Sequence, residues 1–419
     1  MSPGFQRATS FASLLRATHR AAEGKRQQPE VARFLMDAER ECLRLERALR
    51  RPPEHPEAWQ PAPCRQFVIH DPKRRMISVV PFGDRVVHHA LCGELLPCLE
   101  RYAIHDSYAC REGKGQHAAL QRAKGFARAN REGWAFKGDV AAYFASIPHD
   151  RLMEQIRKRV PDVALCEWLE RIVRAYPVTE GRGLPIGTLT SQHLANLYLG
   201  ALDHRIKDDL GIRHYLRYMD DFVAMGQRAD MVRLREQCEE YLRERLGLAL
   251  NLRTTQLVRV ADGVPMLGMR VYPELIRVSR QRWRRFKQKQ RMIDRALEEG
   301  AMSEEEAAAR VSSQYAHLQM FDTHRLRCNH LARLTEVGSG SGVGRRRLPA
   351  CESWRVLEQR REEGPRREPQ QGRARQPQPE RGVSSSELST SAEPRGLVRG
   401  EQTRPEVPSL RTAAPEPRC

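Results

Sequence analysis

The chain has 419 residues, a formal net charge of +19 and a 40% hydrophobic fraction, which leaves room for one large multi-lobed unit or two to three ordinary domains. Such a cationic balance points to a polyanionic partner, although an arginine-rich composition by itself produces the same charge. The ten cysteines form no CxxC pair and no zinc-ribbon spacing. No apolar run approaches the roughly 18–20 residues of a membrane span, and the N-terminus lacks a signal-peptide pattern, so a cytoplasmic protein with no membrane partner is expected.

Along the chain, Phe11, Leu14 and Leu15, then Val31, Phe34, Leu35, Leu43, Leu45 and Leu49, recur at helical intervals among Arg and Glu. Residues 1–62 therefore read as a helical N-terminal extension, ended by the Pro-rich stretch RPPEHPEAWQPAP. From 63 to 275 short apolar strands alternate with helical stretches, an α+β pattern. In SRQRWRRFKQKQRMIDRAL, Trp283, Phe286, Ile293 and Leu297 share one helical face, with Arg and Lys around the rest. Gly300 closes that helix and Ser303 with Glu306 forms a capping box for the next, so 276–334 reads as helical. Beyond it the composition shifts to Arg, Gly, Pro, Gln, Glu and Ser with few aromatics. Too little apolar surface remains to offset the entropy of ordering, and 335–419 is expected to be a disordered tail.

The central motif is HYLRYMDDFVAMG at 214–226, where β-favouring residues flank Asp220 and Asp221 as at the turn of a hairpin. Two adjacent carboxylates repel each other and need solvent or cations; on these residues alone a solvated acidic turn and a metal-binding pair both remain open. Upstream, WAFKGDVAAYFASIPHD sets Asp139 at the end of a short apolar strand, before Val140 and the bulky pair Tyr143 and Phe144. An acid here can join the hairpin acids around two Mg²⁺ ions in phosphoryl transfer. Phe144 reads either as a core aromatic or as a platform that excludes a 2′-hydroxyl. Between the acids, GLPIGTLTSQHLANLYLGALD (183–203) places Gly183 and Gly187 around Pro185, a tight backbone before a helix.

The order of strand with Asp139, Gly-rich loop and helix, then YMDD at 218–221 resembles the palm of reverse transcriptases. That resemblance implies a right-hand polymerase fold of fingers and palm (63–275) and helical thumb (276–334). It also implies metal binding by Asp139, Val140, Asp220 and Asp221, and RNA-directed DNA synthesis on a primer. DPKRRMISVVPFGDRVVHHALCGELLP (71–97) and IHDSYACREGKGQHAALQRA (104–123) are similar to the fingers motifs. In that family basic residues there grip the incoming triphosphate, which nominates Lys73, Arg75, Arg111 and Lys114 for dNTP binding; each is also consistent with a solvated basic face. His88, His89, His105 and His117 read as structural. GVPMLGMRVYP (263–273) is similar to the primer-grip hairpin, and the basic face of 279–334 to a thumb that tracks the template–primer backbone.

Most reverse transcriptases carry Gln-Gly…Ser-Pro in the Gly-rich motif, whereas here Ile186-Gly187 precedes Ser191-Gln192. This variant resembles enzymes of diversity-generating retroelements. It implies error-prone copying of template adenines (mutagenic retrohoming), a bacterial or phage gene, a structured template RNA, and a small basic accessory protein as partner. Loss of an amide near the nascent pair weakens discrimination. The family usually has a Lys after LALN; here Asn251 is followed by Leu252, Arg253 and Thr254, and Arg253 is a poor proton donor. The tail at 355–382 can be back-translated and read one nucleotide on to give phrases such as GSWNN and ANRNR, typical of a template repeat. The expectation is that the frame runs past the thumb into that repeat. The competing readings are a group II intron or retron reverse transcriptase, and a noncatalytic RNA-binding scaffold of the same fold.

Overall fold

A computed structural model describes residues 2–52, 54–70, 74–319 and 321–329; Lys73 and the tail at 335–419 lie outside the described residues. Four helices come first: α1 (Pro3–Ala8), α2 (Phe11–Ala22), α3 (Pro29–Met36) and α4 (Ala38–Arg50). Pro3 and Pro29 start α1 and α3, where a missing N–H costs nothing, and Ser10 caps α2 by accepting from Ser13 N. Leu14, Val31, Leu45 and Leu49 are buried as their periodicity predicts, whereas Leu43 is exposed. These helices share one apolar core with the helices that follow.

A two-stranded ribbon, β1 (Arg65–Ile69) and β2 (Arg75–Val79), precedes the long α5 (Phe82–Tyr102) and then α6 (Gln116–Ala129). Next come β3 (Trp134–Asp139), α7 (Tyr143–Ser146), α8 (His149–Arg159), α9 (Val163–Ala175) and α10 (Leu189–His204). The hairpin β4 (Tyr215–Tyr218) and β5 (Asp221–Gly226) leads into α11 (Arg228–Tyr241), followed by β6 (Gln256–Arg259), β7 (Val264–Met266), β8 (Met269–Val271) and β9 (Ile276–Val278). Helices α12 (Arg280–Glu298) and α13 (Glu304–Gln319) complete the described elements. No helix among the described residues is long and apolar enough to cross a membrane.

The sheet that positions the acids has the order β4-β5-β3-β6, all antiparallel. Its two central strands are buried on both faces, so they read as near-continuous apolar runs. One face carries Phe136, Tyr215, Phe222 and Ala224 into the helical core. The other carries Ala135, Val223 and Met225 against α6 and the β7–β8 hairpin. Because side chains alternate along a strand, Lys137, Asp139 and Asp221 continue this second face to its end.

In α12, Phe286 and Ile293 are buried against Ala307, Val311, Tyr315 and Leu318 of α13, and Trp283 stacks on Phe286 at 4.9 Å. Gly300 turns the chain at φ +68°, and Ser303 Oγ accepts from Glu306 N at 3.2 Å, one arm of the anticipated capping box.

Candidate active site

Antiparallel pairing puts Asp139 directly opposite Asp221, and Tyr218 opposite Asp221 at the mouth of the hairpin. Only Met219 and Asp220 separate β4 from β5, a two-residue turn. Met219 has φ +57°; a positive φ at the first turn position matches strand twist but is strained for a residue with a side chain. Among the described residues four non-glycines have positive φ: Cys110, Ala142, Met219 and Leu267. Three of them adjoin the acids. Ala142 follows Asp139 by three residues, Met219 precedes Asp220, and Leu267 N donates to Asp221 Oδ2 at 3.3 Å. Strain of this kind persists only where the surroundings over-determine it, which is common at functional sites.

The acids differ in environment. Asp139 Oδ2 accepts from Thr254 Oγ1 at 2.6 Å and Asn251 Nδ2 at 3.0 Å, and its backbone carbonyl accepts from Asn251 N at 2.8 Å. Asp220 is pushed above the usual carboxylate range by burial first and by Asp139 second. Burial pushes Asp221 up to about 6 against the opposing pull of Lys137. The Lys137 ammonium stands 3.4 Å from Asp221 Oδ1. That contact lacks hydrogen-bond geometry, so the buried oxygen has no hydrogen-bond partner. Val140 is buried and bridges to Leu250. Among the described residues no group of three His, Cys, Asp or Glu side chains converges at metal-ligating spacing; Asp139 is turned toward Asn251 and Thr254.

Two further segments close on this sheet. The β7–β8 turn, Leu267 at φ +50° and Gly268 at φ +75°, is held by Gln116 Nε2 and Arg282 Nη1 donating to Leu267 O at 3.1 and 3.2 Å. The Gly-rich loop packs on β2: Ser78 N donates to Ile186 O at 2.8 Å. A Cβ on Gly187 (φ +122°) would lie 2.6 Å from Ser78 O, so no larger residue fits this approach. Gln192, on the first turn of α10, accepts from Cys110 Sγ at 3.5 Å.

The nominated cations do not all converge. Arg75 opens β2 and is exposed; its charge lowers the Asp220 carboxyl, against burial. Arg111 is turned inward. It grips Glu100 at 2.8 Å and donates to the carbonyls of Ile104 and Ser107 at 2.6 and 2.9 Å, so its donors are committed within the fold. Lys114 donates to His105 O at 3.0 Å and sits over the Tyr108 ring at 5.0 Å. Phe144 is partly buried and meets the Tyr143 ring edge-on at 5.7 Å. Arg253 is exposed beside the Asn251 and Thr254 that hold Asp139.

Residues 70–271 match the family model described as "Reverse transcriptase (RNA-dependent DNA polymerase)". The chain carries a reverse transcriptase domain. All three acids, the Gly-rich loop and both hairpins fall within it, and the described residues have the α+β mixture expected from the motifs. Protein YkfC of Escherichia coli (strain K12) is 26% identical, with 51% of this chain and 68% of that protein covered. The group II intron-encoded protein LtrA of Lactococcus lactis subsp. cremoris is 27% identical, with 35% of this chain covered; the chain spans only 25% of LtrA. Among solved structures, apo telomerase from Candida tropicalis matches at 12% identity and a TM-score of 0.42, covering 52% of this chain and 56% of that one.

Two residues of the reverse transcriptase domain that motif reading passed over stand beside the acids. Lys137 shares a strand face with Asp139, two positions away, and alternation alone would have placed it there. Arg217 is buried at 1% exposure against Asp203 at 0%. A charged residue in an apolar strand normally signals a solvent-facing side, so its burial has no local sequence signal.

Proposed function

We propose that the chain is an RNA-directed DNA polymerase that extends a primer 3′-end with dNTPs on an RNA template. The observation that carries this reading is the register: Asp139 opposite Asp221, with Asp220 in a strained two-residue turn beside them. Asp139, the Val140 carbonyl, Asp220 and Asp221 would hold two Mg²⁺ ions. An all-oxygen donor set suits a hard cation. Asp221 Oδ1, which makes no hydrogen bond and faces the Lys137 ammonium at 3.4 Å, and the mutually repelling Asp139 and Asp220 are the groups such charge would stabilise. When bound, the ions supply charge neutralisation at the transferring phosphoryl group.

The chain's own residues frame that chemistry. Thr254 and Asn251 orient Asp139 by hydrogen bonds, and Lys137 offsets the Asp221 charge. Arg75 would meet the incoming triphosphate, and Lys73 is nominated with it by the fingers motif alone; Arg111 and Lys114 brace the adjoining loop. Phe144 excludes a 2′-hydroxyl. Ile186 and Gly187 set backbone against the nascent pair, and the basic face of α12 follows the template–primer duplex. Residues 1–62, 63–275 and 276–334 act as extension, fingers with palm, and thumb.

We further propose the diversity-generating lineage, with error-prone copying at adenines and a small basic accessory protein, because Ile186 and Gln192 replace the usual Gln and Pro. Similarity to LtrA favours a second reading, a group II intron lineage. A near-copy repeat beside the gene, differing mainly at adenines, decides between them. It also decides whether residues 355–382 are read-through of that repeat. Primer extension on an RNA template tests the activity itself. Wild type is expected to extend with Mg²⁺, and Asp220→Ala to lose about 10²–10³-fold, the range seen when groups that stabilise transition-state charge are removed. An RNA-binding scaffold would show no Mg²⁺-dependent synthesis to lose.

A further inference from the structure

We infer that Arg217 is a positioning residue for the Met219–Asp220 turn, a role that rests on the polymerase reading above. Its guanidinium is fully enclosed, and every arm has an acceptor. Nε and Nη2 hold the Asp203 carboxylate at 2.7 and 2.6 Å, and Nη2 also donates to Asn196 O at 3.1 Å. Nη1 donates to Asn196 Oδ1 at 2.9 Å and to Met219 O at 2.9 Å. The last contact is the informative one. A buried guanidinium must place five N–H donors, and here one of those that Asp203 does not take is directed at the peptide joining Met219 to Asp220.

That peptide is planar, so fixing its carbonyl fixes the position of the Asp220 Cα from which the carboxylate departs. The same bond holds Met219 in the left-handed region that its side chain disfavours. The anchor on the other side is equally rigid. Asp203 is fully buried and also accepts from Tyr215 OH at 2.6 Å. Asp203 and Asn196 both lie on α10, and Asn196 also donates from Nδ2 to Ala109 O. The backbone of Arg217 is clamped as well: its N–H donates to Asp106 O at 2.9 Å and its carbonyl accepts from Tyr108 N at 3.0 Å. Arg217 thus ties the turn to the helix that begins just after the Gly-rich loop. A lysine keeps the charge, but three donors on one nitrogen cannot reach both Asp203 and the turn carbonyl; the planar fork can.

The experiment compares wild type with Arg217→Lys, Met219→Gly, the double variant and Asn196→Ala, all in the full chain. Circular dichroism and melting temperature establish folding. Single-turnover primer extension gives the rate and the dNTP affinity, and titration with Mn²⁺ alone gives metal affinity. Arg217→Lys is expected to hold primer–template and dNTP affinities within about threefold. Its rate and its Mn²⁺ affinity should each fall about 10–100-fold, the usual cost of losing an orienting partner of a metal ligand. Glycine accepts a positive φ freely, so Met219→Gly in the Arg217→Lys background should recover part of the rate, which a purely structural ion pair does not predict. A rate and Mn²⁺ affinity within twofold of wild type for folded Arg217→Lys would overturn the inference. So would a loss traceable to duplex binding, or no recovery in the double variant. If Arg217→Lys fails to fold, Asn196→Ala decides: an intermediate loss supports the role and an unchanged rate ends it. If wild type performs no RNA-templated synthesis, the polymerase reading fails, and the Mn²⁺ titration alone judges the positioning role.

Discussion

Gly138 separates Lys137 from Asp139, and the Phe222 ring lies across it: a Cβ there would come within 2.1 Å of Phe222 Cζ. The ring belongs to the residue paired with Gly138 across β3 and β5 and is itself fully buried. An aromatic over a strand glycine fills the missing side chain and locks the register. Gly138→Ala is therefore expected to cost about 1–3 kcal/mol through overpacking, read as a lower denaturation midpoint, and to slow extension by displacing Asp139. Phe222→Leu in the same chain should recover part of both. At this scale the sequence was uneven as a guide. Asp139, Asp220 and Asp221 stand out because carboxylates interrupt apolar strands. Lys137 was legible by alternation and went unread. Arg217 was not legible, because its partner Asp203 is 14 residues away on a helix and only the packed structure brings the two together. Arg111 carried the opposite ambiguity: its charge invites a phosphate, and the structure gives it Glu100 and two carbonyls instead.

Among the elements, α5 and α10 cross in the core, and His88 of one is hydrogen-bonded to Thr190 of the other at 2.9 Å. Burial lowers the His88 imidazole to about 4, and burial aided by Arg20 lowers its neighbour His89 to about 4 as well. The folded chain resists protonation at these rings while the unfolded chain accepts it near pH 6.5. Stability is thus undiminished above about pH 6.5 and is lost as pH falls from there toward 4. For His88 the loss is on the order of 3 kcal/mol. Urea denaturation at stepped pH should show this slope, and His88→Gln should flatten part of it; an unchanged slope would mean that other groups govern acid lability. Helices and hairpins were the most legible elements, since periodicity and turn residues are local. The contact of the β7–β8 turn with Asp221 was not legible, because a 46-residue separation leaves no trace in either segment.

For the whole molecule, charge is the dominant quantity. Arg284, Lys287 and Arg291 are exposed along one side of α12, spaced at helical intervals. If that side follows a duplex, binding should weaken with salt at a log–log slope of roughly −0.7 to −0.9 per neutralised phosphate. Gln at Arg284 and Lys287 together should then make the slope shallower by about 1.5 without altering the single-turnover rate. A slope equal to wild type would move the duplex elsewhere. Composition made a polyanionic partner legible but could not say which face meets it, since arginines are spread along the entire chain.

The strand order β4-β5-β3-β6 also governs how the chain can be made. β3 is flanked on both edges by strands that lie later in the sequence, and its β6 partner ends about 120 residues after Asp139. At about 5–20 residues per second of synthesis, that is roughly 6–24 s before both edges of the apolar strand bearing the first acid can be paired. A chain halted between β5 and β6 would keep one edge of β3 unpaired, an invitation to aggregation. The centre of the sheet is therefore a checkpoint of translation: truncated products ending before Gln256 should be recovered as insoluble or degraded material, and folded protein is expected only from those extending past Val271, which include the hairpin that covers the second face.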